Sequence, residues 1–139
     1  MNKNIKCVNV SADIGNLTSI GISSKGSCVC ESRVKKFDNG LDDFSQNQKF
    51  TFNGEDYLIG EGTYENEILK YSKDNYLPLL YYCIAKSTKD TDNNINLVTC
   101  TPVNQYKKKE ELENFIKKNN KKTIIIDGKE RKITIEDVK

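Results

Sequence analysis

The hydrophobic period of this chain shifts near Asp74, from two to about 3.6 and later back again, and that shift limits the folds open to it. Before Asp74, apolar residues recur at alternate positions, as a strand with one buried face requires. Val8, Val10 and Ala12 alternate with polar neighbours, and Ile20 and Ile22 resume the alternation beyond Asp13-Ile14-Gly15-Asn16. After Asp74, Leu77, Leu80, Tyr81, Ile84 and Ala85 fall at i, i+3, i+4, i+7 and i+8, which predicts an amphipathic helix. Pro78 lies in its first turn, where a missing N–H costs little.

The remaining elements follow from turn chemistry. A third strand is predicted over 27–34, reached through Ser24-Lys25-Gly26, so the chain opens as a three-stranded meander. Residues 35–48 are polar and read as a loop. Asn53-Gly54, between Phe50-Thr51-Phe52 and Tyr57-Leu58-Ile59, is the strongest short-range hairpin signal in the sequence. Residues 61–73 are ambiguous, with Tyr64, Ile68 and Leu69 compatible with a helical turn. Beyond the helix, a solvated loop at 90–94 leads to a short strand at 96–100 that stops at Thr101-Pro102. A second helix carries Leu112, Phe115 and Ile116 on one face, and a final hairpin turns at Asp127-Gly128. Strands and helices in this order predict an α/β fold with a mixed sheet flanked by helices.

At 139 residues one domain is expected. A net charge of +2 gives no global field that would select nucleic acid or a membrane. No apolar run approaches the ~20 residues of a membrane span, and no signal-peptide core follows the first Met, so a cytoplasmic chain with no membrane partner is expected. The absence of His excludes His-dependent triads. Cys28 and Cys30 are spaced to share one face of a strand, while Cys7, Cys83 and Cys100 are scattered. Lacking His and a C-x-x-C partner, the five are read as reduced thiols packed as small hydrophobes.

The candidate site is the first turn. Asp13 is a carboxylate at a strand end, and Gly15, with no Cβ, lets backbone N–H groups of the turn approach a ligand closely. Such a turn can hold a phosphate and, through water, a metal ion on Asp13; an ordinary hairpin needs the same residues for the turn alone.

Four segments resemble the N-terminal domain of the plasmid-segregation actin-like ATPases, the ParM type. They are Asp13-Ile14-Gly15-Asn16, Phe52-Asn53-Gly54-Glu55-Asp56-Tyr57, the run from Leu97 through Pro102 to Tyr106, and the run from Gly128 to Val138. Together they span nearly the whole chain in family order. The resemblance implies a ribonuclease-H-like, actin-like subdomain, with 1–139 as one lobe of a longer two-lobed protein that clamps ATP or GTP with Mg. It places Asp13 near the metal, Gly15, Asn16 and Leu17 along the first phosphate loop, and Thr18 or Ser19 within reach of a phosphate. It further implies self-assembly into filaments and movement of DNA through an adaptor protein. Two departures stand out: no Lys or Gln follows the turn, where Thr18-Ser19-Ile20 stands instead, and the water-orienting residue and second phosphate loop of the family are absent. The chain alone is therefore not expected to hydrolyse nucleotide.

Three alternatives compete. A ribonuclease-H-type nuclease would need further carboxylates beside Asp13. A nucleic-acid-binding module would use Lys107-Lys108-Lys109, Lys117-Lys118 and Lys121-Lys122, yet Glu110, Glu111 and Glu113 interleave with them as on a solvated helix face. A non-catalytic adaptor with an actin-like lobe would dock without nucleotide. Tyr106, after the strand end that faces the cleft in the family, is the tyrosine singled out for contact.

Overall fold

A computed structural model describes residues 6–36, 49–64, 74–100 and 103–139. The elements are β1 (Val8–Ile14), β2 (Thr18–Ser23), β3 (Gly26–Glu31), β4 (Arg33–Lys36), β5 (Lys49–Phe52), β6 (Glu55–Tyr64), α1 (Tyr76–Ser87), β7 (Asn94–Thr99), a 3-10 helix (Val103–Lys108), α2 (Lys109–Lys118), β8 (Lys121–Ile126) and β9 (Lys129–Val138). The polar stretch at 37–48, the ambiguous one at 65–73, and Thr101-Pro102 lie outside the described residues.

The predicted hairpins form where the turn residues placed them. Asn53 and Gly54 take φ of 53° and 86°, and Asp127 and Gly128 take 52° and 78°, the left-handed pairs that match the twist of adjoining strands. The alternation in β1 is realised residue by residue: Val10, Ala12 and Ile14 are buried, while Asn9, Ser11 and Asp13 are exposed.

All nine strands among the described residues join one mixed sheet in the order β3-β2-β1-β7-β9-β8-β5-β6-β4. β1 pairs with β7, and β7 with β9, in parallel; the other ladders are antiparallel. The first and last strands of that order, β3 and β4, are separated in the chain by Ser32 alone. Both edges of the sheet are thus anchored at one residue, so the sheet must curl until they meet. α1 fills the curl. It packs on β1, β2 and β3, Phe50 of β5 meets Tyr82 edge-on at 5.6 Å and Phe52 meets Tyr81 at a tilt at 5.5 Å, and Arg131 of β9 reaches its last turn.

Two expectations are corrected by this closure. The strand predicted over 27–34 is broken at Ser32, because the chain leaves the β2 ladder there and joins the β6 ladder. The helix predicted as amphipathic is buried on nearly every side: Tyr76, Pro78, Leu79, Leu80, Tyr81, Tyr82, Cys83, Ile84, Ala85 and Ser87 all lose contact with solvent. Tyr, Cys and Ser look polar in a periodicity count, yet here they face strands across the curl. α2 does show the expected one-sided pattern, with Leu112 and Ile116 buried. It lies beside α1, where Phe115 meets Tyr76 at 6.4 Å and the Tyr81 hydroxyl donates to the Asn119 carbonyl.

Candidate functional site: the first turn and the ends of the parallel strands

The three parallel strands finish side by side. Ala12 of β1 pairs with Thr99 of β7, and Thr99 donates its N–H to the Lys139 carbonyl beyond β9 at 3.1 Å. The carboxyl ends of parallel strands are where open α/β sheets bind ligands, since connections diverge there and leave backbone groups facing a crevice. Asp13 to Thr18 lies at that end, so all five residues expected at the site share one turn.

The turn is pinned on both sides. Gly15 donates its N–H to the Thr18 carbonyl at 3.0 Å, and Ser32 donates its N–H to the Leu17 carbonyl at 2.9 Å. Gly15 is required by space: a Cβ there would lie 2.8 Å from the Thr18 carbonyl oxygen, too close for any side chain. Since the Gly15 amide is spent inside the hairpin, the outward part of the loop is Asn16 and Leu17, with Leu17 67% exposed, and the exposed Thr18. Asp13 is exposed on the face of β1 opposite α1.

Ser19 does not belong to the outward set. It is fully buried, and its hydroxyl meets that of Ser32 at 2.7 Å, so the expectation that Ser19 could reach a phosphate is corrected: the pleat turns it inward, where it ties the turn to the sheet's seam. Arg33, next along the chain, supplies no cation to the turn. Its guanidinium donates to the Gly62 carbonyl at 2.7 Å, pairs with Glu31 and lies over the Tyr64 ring.

Beneath the turn, Asn75 and Tyr76 at the N-terminus of α1 line a small cavity of about 10 Å³ with Ile14, Gly15, Asn16, Ser32 and Leu79. That is room for about one water. The positive end of the α1 dipole therefore sits under the loop, and no acidic residue occupies the first turn of α1 to neutralise it. The Tyr76 hydroxyl is pushed up to about pKa 12 by burial first, with Cys100 and Asp13 adding to the shift and Thr99 opposing it. Tyr76 and Thr99 place buried hydroxyls near each other without the geometry of a hydrogen bond, and neither has another partner among the described residues. Among the described residues these are two buried hydroxyls without a hydrogen-bond partner at the carboxyl end of the sheet. Sequence reasoning passed over Tyr76, Thr99 and Ser32, since a tyrosine opening a helix, a threonine ending a strand and a serine between strands carry no distinctive spacing.

The alternatives meet the same geometry. Among the described residues, no group of three acidic side chains converges with Asp13, as two-metal nuclease chemistry requires. On α2 and the segment before it, Lys108 pairs with Glu111 at 3.5 Å, and Lys109 lies over the Tyr106 ring at 4.6 Å while bonding its hydroxyl. That is a solvated face of mixed charge. Tyr106, 62% exposed, is held on that face by Lys109. Among the described residues no helix is long and apolar enough to cross a membrane.

A mixed sheet curled around a helix, with a glycine turn at the carboxyl ends of its parallel strands, has the architecture of an actin-like fold. The family described as the N-terminal domain of actin-like proteins matches residues 11–139, and the chain belongs to it. No curated protein sequence matches. Among solved structures, the apo pSK41 ParM protein is similar with a TM-score of 0.74 and 20% identity, over 96% of this chain and 48% of that one. A 15-stranded ParM filament from Clostridium botulinum gives 0.76 and 17%, over 97% and 47%. The filament of AlfA from the B. subtilis plasmid pLS32 gives 0.66 and 20%, over 94% and 54%. The chain thus spans about half the length of the structures it resembles.

Proposed function

We propose that this chain is the N-terminal lobe of an actin-like protein that forms filaments under nucleotide control and segregates plasmid or other DNA, and that its contribution is the first phosphate loop. The observation that carries the reading is the turn itself: a glycine that no other residue can replace, pinned at both ends, set over the N-terminus of α1. Family membership and the filaments among the similar structures support it.

ATP or GTP with Mg is the cofactor, and the residues present fit it in kind. Asp13 would hold a water of the hydrated metal, the backbone at Asn16 and Leu17 would face phosphate oxygens, and the Thr18 hydroxyl would donate one further bond. The bound Mg supplies charge neutralisation to the phosphates. Gly15 sets the loop's shape from below. With no Lys on β2, charge at this turn comes from the metal and the helix dipole. The rest of the cleft belongs to the second lobe, so phosphoryl transfer is an activity of the longer protein. Its partners are further copies of itself and an adaptor that carries the DNA.

The test is assembly of the full-length protein, followed by light scattering and sedimentation with ATP, with GTP and without nucleotide. Nucleotide-dependent assembly that Gly15→Val abolishes, with the circular dichroism spectrum retained, is the expected result. Assembly indifferent to nucleotide would overturn the reading and leave a docking module.

A further inference from the structure

Cys28 and Cys30 extend from the edge strand β3 toward α1, and the fold brings Cys83 of α1 to meet them. The three Sγ atoms all lie within 4.8 Å of one another. Cys83 is fully buried, and Cys28 and Cys30 are half-buried. The approach is made possible by Gly21, which pairs with Cys28 in the β2–β3 ladder: a Cβ at Gly21 would lie 2.7 Å from the Cys83 carbonyl oxygen and 3.0 Å from its Cβ. A side chain at that point would lift the helix and separate the sulfurs.

We infer that Cys28, Cys30 and Cys83 bind one soft d10 metal cation through three thiolates, at the seam where the curled sheet closes on α1. Thiolates select soft cations such as copper(I) and zinc, and the chain has no His to broaden the choice. Three thiolates around one ion at a metal–sulfur distance of about 2.3 Å stand about 4.0 Å apart, so the cluster needs to contract by less than an ångström. Half-exposed side chains on an edge strand can supply that by rotation. Three sulfurs satisfy copper(I) without another ligand, whereas zinc would take a fourth from solvent on the exposed side of Cys28 and Cys30.

The electrostatics already favour one thiolate. The Cys30 and Cys83 thiols donate hydrogen bonds to Cys28 and hold it well below the usual thiol range, with the Lys86 ammonium adding to the effect; Cys30 and Cys83 are pushed up in turn. A cation replaces those two shared protons. Binding converts one thiolate, two thiols and copper(I) into a tris-thiolate of net charge −2, or with zinc(II) one of net charge −1, and releases two protons, with no change of oxidation state. Lys86, 3.0 Å from Asp127, is the nearby cation that offsets part of the charge.

The test uses the full-length protein, reduced with a phosphine under argon and titrated separately with copper(I) and zinc(II) against a competing chelator. Native mass spectrometry reads stoichiometry, and alkylation followed by peptide mapping reads which thiols are covered. One ion per chain, with Cys28, Cys30 and Cys83 protected while Cys7 and Cys100 stay reactive, is expected from at least one of the two ions. Which ion wins the competition identifies the preferred cation. The double variant C28S/C30S should lose affinity by at least about 100-fold, since even outer partners of metal ligands are worth about 10–100-fold. Its fold is checked separately by circular dichroism. Failure of the wild-type protein to retain either ion, or equal retention by the double variant, overturns the assignment.

Discussion

Arg131 is the buried cation that locks the helix into the curled sheet, and removing it should cost more than any surface substitution. It is 3% exposed and makes four hydrogen bonds: Nε to Asn93 Oδ1 at 3.3 Å, Nη1 to the Ala85 carbonyl at 3.1 Å, and Nη2 to Thr88 Oγ1 at 3.0 Å and the Asp92 carbonyl at 2.9 Å. One side chain thereby joins β9, the last turn of α1 and the loop that follows. Burial lowers its pKa, with Asp90 and Asp92 acting in the opposite direction, and a guanidinium remains charged throughout. In Arg131→Met the apolar stem is kept, but the carbonyls of Ala85 and Asp92 lose their partner. Each unsatisfied acceptor costs about 1–3 kcal/mol, so the loss from the two should be about 2–6 kcal/mol. Against a typical domain stability of about 5–15 kcal/mol that is severe. Arg131→Lys keeps the charge but cannot span the same acceptors, and should recover less than half of the loss. Urea unfolding followed by circular dichroism reads both, as a lower midpoint at unchanged slope. A loss under about 1 kcal/mol for Arg131→Met would refute the argument, because the acceptors would then be finding water.

Other substitutions probe other contacts. Gly21→Ala places a Cβ against helix backbone and should destabilise by about 1–3 kcal/mol through overpacking, read as a fall in Tm; a neutral result would mean the helix is not held that closely. Ser32→Ala leaves the buried Ser19 hydroxyl without its partner and should cost about 1–3 kcal/mol in denaturant unfolding, loosening the seam and the turn together. Asp56 is held below its usual 3.8 by the Thr51 hydroxyl first and Lys49 second. A depressed carboxyl contributes stability that is present above 3.8 and lost as pH falls through the lower folded value. Thr51→Val should raise the Asp56 pKa toward 3.8 in an NMR titration and shrink that acid-side loss; an unmoved titration would discount the bond.

What could be read from the sequence follows from which signals are local. Asn53-Gly54 and Asp127-Gly128 fixed their hairpins because left-handed φ is a property of two residues. The alternation of Val8, Val10 and Ala12 placed Asp13 at an exposed strand end, so the turn from Asp13 to Thr18 was visible without a structure. The closure of the sheet was not. It depends on β3 and β4 leaving Ser32 toward different ladders, a non-local pairing to which no spacing in residues 27–34 testifies. Several misses descend from that. The curl buries nearly every side of α1, turns Ser19 away from the candidate site, and carries Cys83 to a pair of cysteines more than fifty positions earlier in the chain. Arg131, in a run of Lys, Glu and Arg, looks like surface charge until its acceptors converge on it.

The most direct test of the central claim, that the Asp13–Thr18 turn is part of a Mg-nucleotide site, is calorimetric titration of the full-length protein with ATP and with GTP. It is run with and without Mg, on wild type and on Asp13→Ala. The account predicts Mg-dependent binding in the wild type and a loss of that Mg dependence in the variant, with the circular dichroism spectrum retained because Asp13 lies on the exposed face of β1. Equal affinity and equal Mg dependence in the two proteins would contradict it.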